Sequence, residues 1–140
     1  MGSEAYFTAV ADLGGNFGPF AEERTLVFNT EITNIGGHYD CTSGIFKAPV
    51  PGYYYFTFFY HAGKQHQSGL TLMKDHDVIV RAFDKNQKGA EFSDNAGNAA
   101  FLQLDRGDNV FVHLPANCHV YASKSTTSFS GFLIRQLGEF

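Results

Sequence analysis

Six histidines and two cysteines are the residues of this 140-residue chain whose side chains most often act as nucleophiles, bases or metal ligands. Neither Cys41 nor Cys118 lies in a catalytic signature, and no Gly-x-Ser-x-Gly nucleophile elbow occurs. A hydrolase that uses Cys41 with a histidine is the enzymatic alternative, but accidental pairs of this kind are far commoner than catalytic ones. The sequence therefore predicts no catalytic residues and a protein that is not an enzyme.

The cysteines and histidines also fit no common zinc motif. Cys41 and Cys118 lie far apart in sequence and are too few for a disulfide scaffold, so a single disulfide and two free thiols both remain open. His61 and His66 lie in the segment HAGKQH (61–66), where a strand followed by a loop need not bring the two rings together. No third ligand accompanies them, so zinc is not predicted.

Asp84 and Asp94 are the candidate metal ligands of the chain. They flank a polar loop that could bring both carboxylates to one point, and calcium prefers several oxygen ligands. Two nearby lysines, Lys85 and Lys88, would oppose a bound cation. Calcium at Asp84 and Asp94 is therefore a candidate cofactor, and a solvated polar loop without a metal is the alternative.

The tripeptide RGD at 106–108 raises the question of integrin binding. It lies between two apolar segments, AAFLQL (99–104) and VFVHL (110–114), where the chain must turn tightly. Glycine suits such a turn, and an aspartate side chain can accept hydrogen bonds from nearby backbone N–H groups. A structural turn at Gly107, capped by Asp108, is the favoured prediction.

The bulk composition limits the class of protein further. Hydrophobic residues make up 44% and charged residues only 17%, which indicates that association hides some of the surface. The net charge is −4 and the basic residues are scattered, so no nucleic-acid partner is predicted. No apolar run reaches the ~18 residues of a membrane span. The first four residues, MGSE, resemble a vector-derived tag, so we predict one domain at 5–137.

The elements that must position these residues are strands. Short runs rich in aromatic and β-branched residues alternate with glycine-containing turns, which is typical of an all-β sandwich or barrel such as a jelly roll. No segment keeps a helical period over three turns. We predict ten strands, near 5–13, 25–30, 44–47, 53–62, 69–74, 77–84, 96–104, 109–114, 119–122 and 128–137.

The segment GYYYFTFFYHA (52–62) has aromatic side chains at seven of its eleven positions. Successive side chains of a strand point to opposite faces. The two sets of rings are Tyr54, Phe56, Phe58 and Tyr60 on one face, and Tyr53, Tyr55 and Phe59 on the other. A half-buried strand normally shows polar side chains to water, so both faces of this one are predicted to be covered.

The spacing of eight residues along the chain forms a recognisable pattern: Phe28, Asn34, Tyr39, Phe46, Gly52, Tyr54, Phe56 and Phe58. It resembles the signature of the globular head domain of complement C1q and its relatives, among them adiponectin, cerebellin and otolin. Two later segments, NAGNAAFLQLDRGDNVFVHL (95–114) and TSFSGFLI (127–134), resemble the strand–turn–strand and closing strand of that family. The resemblance covers about 5–134, which is nearly the whole chain.

This resemblance implies a ten-stranded, all-β jelly roll, similar to tumour necrosis factor, that assembles as a homotrimer. It implies a secreted, extracellular module that binds a protein, polysaccharide or microbial-surface ligand multivalently, in innate-immune pattern recognition or complement-type binding. The alternative that it leaves open is an extracellular-matrix or hormone-like signalling trimer that binds a cell-surface receptor.

The resemblance also assigns roles to particular aromatic residues. The implied core includes Phe28, Phe46, Tyr54, Phe56, Phe58 and Phe132. Tyr53, Tyr55 and Phe59 then point away from the sandwich, where they would form an exposed apolar patch of the kind that marks an interface. Neighbouring subunits of the trimer are the expected cover for these three rings.

The candidate calcium ligands gain some support from the same resemblance. Some members of the family bind calcium near the threefold axis through two aspartates. Asp94 matches the second of them, whereas Asn86 aligns with the first and Asp84 lies two residues earlier.

Overall fold

The computed structural model describes residues 3–63, 66–85 and 94–138, which form thirteen β-strands and no helix. The strands are β1 (Tyr6–Val10), β2 (Gly15–Phe17), β3 (Arg24–Thr25), β4 (Thr30–Ile35), β5 (Tyr39–Asp40), β6 (Ile45–Lys47), β7 (Gly52–Ala62), β8 (Ser68–Lys74), β9 (Asp77–Asp84), β10 (Asp94–Leu104), β11 (Asn109–Leu114), β12 (Val120–Ala122) and β13 (Ser128–Gln136). Within these ranges there is no helix that could cross a membrane.

The strands pack as two antiparallel sheets, one on the other. The first sheet has the order β10–β7–β13–β1–β4, and the short strands β12 and β2 extend it beside the end of β7. The second sheet has the order β5–β6–β11–β8–β9, with β3 also paired to β11. This arrangement is the predicted jelly roll.

The number of strands differs from the predicted ten. The strand predicted at 25–30 is divided, because β3 ends at Thr25 and β4 begins at Thr30. The other additions, β2 and β5, are three and two residues long and lie outside the predicted strands. Pieces this short carry no periodic pattern, so only their pairing with neighbouring strands defines them.

An aromatic cluster fills the space between the two sheets. The ring of Phe7 stacks on Tyr39 with 4.7 Å between ring centroids and meets the ring of Phe129 edge-on at 4.9 Å. Phe46, from the second sheet, packs edge-on against Phe56 at 5.3 Å. Full burial of one such ring contributes roughly 1.5–3 kcal/mol, so this cluster is the main support of the sandwich.

The structure buries five of the six predicted core residues and not the sixth. Those at most 1% exposed are Phe28, Phe46, Tyr54, Phe56 and Phe58. Phe132 is 36% exposed, so its assignment to the core was wrong. Alternation along β13 is the reason, since Phe129 and Gly131 face the second sheet and Phe132 faces away from it. Phe129, fully buried, occupies the core position instead.

Two core tyrosines place their hydroxyl groups on backbone carbonyls. The Tyr39 hydroxyl donates to the carbonyl oxygen of Phe28 at 2.7 Å, and the Tyr54 hydroxyl donates to that of Val50 at 2.6 Å. Burial raises the pKa of both phenols. Asn34 fixes the same region, because its amide donates to the Tyr39 carbonyl at 2.7 Å and accepts from the Tyr39 N–H.

Candidate functional site

The outer face of the first sheet carries a continuous band of apolar side chains. In register across four adjacent strand pairs lie Ile35, Tyr6, Phe132, Tyr55 and Phe101, which we call the apolar row. Centroid distances of 5.9 Å for Tyr6–Phe132, 5.9 Å for Tyr55–Phe132 and 4.9 Å for Tyr55–Phe101 show that the rings touch in sequence. The row is therefore one surface.

The apolar row is unusually open for side chains of this size. Phe101 is 74% exposed, and Tyr6 and Ile35 are each about half exposed, at 47% and 48%. On the side toward Phe59 its neighbours are small and uncharged: Thr8, Thr33, Thr57, Ala99 and Ser130. On the other side lie Tyr53, Gln103 and Arg135. Apolar rings with few charges are typical of the centre of a protein–protein interface.

Phe59 extends the exposed surface toward the far end of β7. It is 56% exposed and pairs with Gly97 of β10 and Ser128 of β13. A Cβ at Gly97 would collide with the Phe59 ring and the Phe58 carbonyl oxygen. Glycine at this position therefore lets the ring lie flat over β10.

The predicted interface residues all lie on this outer face, but they do not have equal surroundings. Tyr55 is at the centre of the apolar row, whereas Phe59 lies beyond it along β7. Tyr53 is 37% exposed and lies near the guanidinium of Arg135, which is 5.3 Å from its ring centroid. An interface role for Tyr53, Tyr55 and Phe59 stays a prediction.

Four members of the apolar row were missed by reasoning from the sequence: Tyr6, Ile35, Phe101 and Phe132. The available signal was alternation within each strand. In YFTAV (6–10) the buried positions include Phe7 and Ala9, so Tyr6 faces outward. Phe101 follows in the same way, because it pairs with the outward-facing Tyr55.

The candidate calcium ligands lie at strand ends. Asp84 is the last residue of β9 and pairs with Ser68, whereas Asp94 is the first residue of β10 and pairs with Ala62. Because β7 ends at Ala62 and β8 begins at Ser68, both aspartates are at the same end of the sandwich. The Asp94 side chain, Asn86 and Lys88 lie outside the described residues.

The two cysteines are free, which decides between the alternatives that the sequence left open. Cys118 is buried, and Cys41 is partly exposed. Burial raises the pKa of both thiols, and a nearby carboxylate, Glu31, adds to the effect at Cys41. A nucleophilic cysteine needs a lowered thiol pKa, so neither residue has the surroundings of an activated thiolate.

The RGD segment forms the predicted turn. Gly107 has a φ of +89°, and the Asp108 carboxylate accepts a hydrogen bond from the Asp105 N–H at 2.8 Å. The Gly107 N–H donates to the Ala48 carbonyl at 2.8 Å, and the Lys74 ammonium lies 3.8 Å from the Asp108 carboxylate. The capping role of Asp108 is therefore confirmed, and its carboxylate is held by groups within the chain.

Comparison with known proteins gives the following matches. Residues 7–134 match the family model described as C1q domain. Over 124 residues the chain is 35% identical to Caprin-2 of Danio rerio. This alignment covers 86% of the present chain and 13% of Caprin-2. The chain therefore spans only a small part of the length of that relative.

Solved structures share the fold at low sequence identity. The globular domain of zebrafish complement 1qA protein has a TM-score of 0.76 at 23% identity, over 95% of this chain and 99% of that one. Murine APRIL has a TM-score of 0.72 at 11% identity, over 94% of this chain and 100% of that one. Eiger TNF from S. frugiperda has a TM-score of 0.69 at 10% identity, over 97% of this chain and 94% of that one.

Proposed function

Because this chain belongs to the C1q domain family, we propose that it is a secreted, non-enzymatic C1q-like recognition module that acts as a homotrimer. It binds protein, polysaccharide or microbial-surface ligands multivalently, in innate-immune pattern recognition or complement-type binding. The apolar row on the outer face of the first sheet is the observation that carries the proposal.

The apolar row supports self-association through its shape and its chemistry. The Phe132 ring contacts the rings of Tyr6 and Tyr55, and Tyr55 contacts the most exposed ring of the row, Phe101. Contiguous apolar patches of this kind are rarely left in water. Tyrosine suits an interface, because its ring packs while its hydroxyl finds a polar partner. A second and third copy of the chain are the proposed cover.

A trimer gives the proposed function its affinity. Three identical ligand sites on one rigid assembly convert weak single contacts into avidity when the target surface is repetitive, as a microbial surface is. The same domain as a monomer would bind such a surface only weakly.

The experiment measures mass and ligand binding together. Sedimentation at micromolar concentration should give three times the 15.5 kDa chain mass. The trimer is then applied to an array of polysaccharides, lipopolysaccharide, immunoglobulin and collagen, beside a Phe101→Asp variant designed to be monomeric. We expect binding to a repetitive surface that the variant loses. A 15.5 kDa species would overturn the trimer, and binding only to a receptor ectodomain would favour a signalling trimer instead.

We also propose that calcium binds at the end of the sandwich where Asp84 and Asp94 lie. The placement of both residues at one end supports this, since calcium needs several oxygen ligands from different segments. Calcium that binds only the folded protein raises the melting temperature by mass action. We expect that increase in the wild type and not in Asp94→Ala. An unchanged melting temperature at millimolar calcium, or an equal increase in both proteins, would remove the site.

A further inference from the structure

A buried histidine nitrogen without a hydrogen-bond partner lies beside β12. His119 is 1% exposed, and its Nε2 is the one buried side-chain nitrogen or oxygen, among the residues that the structure describes, for which no partner is found. Buried polar atoms are nearly always paired, so an unpaired one calls for an unseen water or ion.

The tautomer of His119 follows from its other ring nitrogen. Nδ1 lies 3.1 Å from the carbonyl oxygen of Gln67, which can only accept a hydrogen bond, so Nδ1 carries the proton and donates it. The same carbonyl accepts the His119 backbone N–H at 3.0 Å, which fixes the ring further. In the neutral imidazole the free lone pair is then on Nε2. A carbonyl on one nitrogen and a lone pair on the other is the usual arrangement of a metal-binding histidine.

A second imidazole lies beside the His119 ring. The ring of His66 meets that of His119 edge-on, with 5.6 Å between centroids and an interplanar angle of 75°. Two imidazoles that share one tetrahedral zinc, with Zn–N bonds of about 2.0–2.1 Å, have centroids roughly 5 Å apart. His66 is exposed, so small side-chain movements can close this difference.

Gly63 lies near both His119 Nε2 and a side-chain oxygen, Asn16 Oδ1. A Cβ placed on Gly63 would lie 3.7 Å from His119 Nε2 and 3.4 Å from Asn16 Oδ1. Because position 63 is glycine, no Cβ occupies this position near both atoms, and both atoms can offer lone pairs.

We propose that His66 and His119 form a binding site for a zinc-class divalent cation at this end of the sandwich. No group of three or more His, Cys, Asp or Glu side chains is placed to hold a metal within 3–63, 66–85 and 94–138. The two histidines are therefore the described protein ligands, with Asn16 Oδ1 at the edge of the site. The remaining positions take water or an oxygen of a ligand, as in zinc sites that keep an open position. This site lies at the same end of the sandwich as the proposed calcium site, but its ligands are imidazole nitrogens and not carboxylates.

The test titrates zinc chloride into the folded protein by calorimetry, with calcium present throughout so that oxygen-ligand sites are occupied. We expect one zinc per protomer and a rise in melting temperature. His66→Ala should weaken zinc binding by roughly tenfold or more, since it removes one of two ligands. His76→Ala is the matched control, because it removes another exposed histidine from a turn in the second sheet and should bind as the wild type does.

Ring-nitrogen NMR gives a readout that does not depend on a variant of the buried residue. The His119 Nε2 resonance should move on addition of zinc, while Nδ1 keeps its proton. A buried water that donates to Nε2 is the competing occupant, and it predicts no response to zinc. An unmoved Nε2 resonance, or equal zinc affinity in His66→Ala and wild type, would overturn the proposal.

Discussion

The two faces of β7 carry similar aromatic side chains in very different surroundings. On the inner face Tyr54, Phe56 and Phe58 are completely enclosed between the sheets. On the outer face Tyr55 touches the rings of Phe101 and Phe132, and those two rings remain exposed. One strand of eleven residues thus has one face enclosed by the second sheet and the other open to solvent.

The difference shows that apolar content alone does not identify the core of a sandwich. The inner rings are buried by the same chain, so their contribution to stability does not depend on protein concentration. The outer rings are proposed to be buried by other copies, so their contribution depends on how much protein is present. Three sets of substitutions test the two kinds of burial.

Phe56→Ala should have the largest effect on folding. The Phe56 ring contacts four others, those of Phe7, Phe46, Tyr54 and Phe129. Removing it leaves a cavity, and we expect a loss of about 3–5 kcal/mol in the free energy of unfolding, measured with denaturant. Phe101→Ala is the control on the outer face. If both variants lose the same free energy of unfolding at a concentration where the protein is monomeric, the inner and outer rings of the first sheet do not differ in their contribution to the fold.

Tyr55→Asp should dissociate the proposed trimer before it unfolds the sandwich, and Phe59→Asp should act in the same direction. A carboxylate placed in an apolar interface would lose its hydration without gaining a partner. The free energy of unfolding of the monomer should change by less than ~1 kcal/mol, because both positions are on the surface of the fold. Sedimentation measures the dissociation.

Val78→Asp provides the matched control for the interface variants. Val78 is 49% exposed and lies in β9 of the second sheet, so it belongs to the opposite outer face. This variant should remain trimeric. If it dissociates to the same extent as Tyr55→Asp, the effect is a general response to added charge, and the apolar row has no special role.

Tyr39→Phe should reduce the stability of the fold less than Phe56→Ala does, and its effect depends on pH. It removes the hydrogen bond to the Phe28 carbonyl, so we expect a loss of about 1–3 kcal/mol at neutral pH. Burial raises the pKa of Tyr39, so the folded state favours the neutral phenol. Its contribution is full below the unfolded pKa of about 10 and is lost as the pH rises above that value.

Unfolding curves of wild type and Tyr39→Phe between neutral and alkaline pH check this third prediction. The variant should lose less stability than the wild type as the pH rises. Tyr54→Phe is the matched variant, because burial also raises the pKa of Tyr54, and it should act in the same direction. If both variants follow the wild-type curve, the inner tyrosines are not the source of alkaline sensitivity.

Much of the fold could be predicted from the sequence because the signals are local. Alternation in β7 identified Tyr54, Phe56 and Phe58 as one face, and the glycine at position 107 identified a turn. The short strands β2 and β5 could not be predicted, since two or three residues have no period. Phe132 was misassigned because its neighbour Phe129 offers a similar ring on the opposite face of the same strand.

The candidate sites also differ in whether their residues are local in sequence or are brought together by the fold. Tyr53, Tyr55 and Phe59 could be predicted as interface residues because they share one strand, whereas the apolar row needs four other strands in register. The spacing of His61 and His66 in sequence suggested no metal site. The pair that the structure brings together is His66 and His119, which are far apart along the chain.

The sequence by itself determined the all-β jelly roll, the family, the inner face of β7 and the turn at 106–108, because each depends on residue type and local spacing. Only the tertiary structure decided which rings lie on the outer face of the first sheet, that the thiols are free, and that the buried His119 Nε2 has no hydrogen-bond partner among the described residues. These properties depend on the register between distant strands and on the surroundings of each atom. Neither is contained in the periodicity of a single segment.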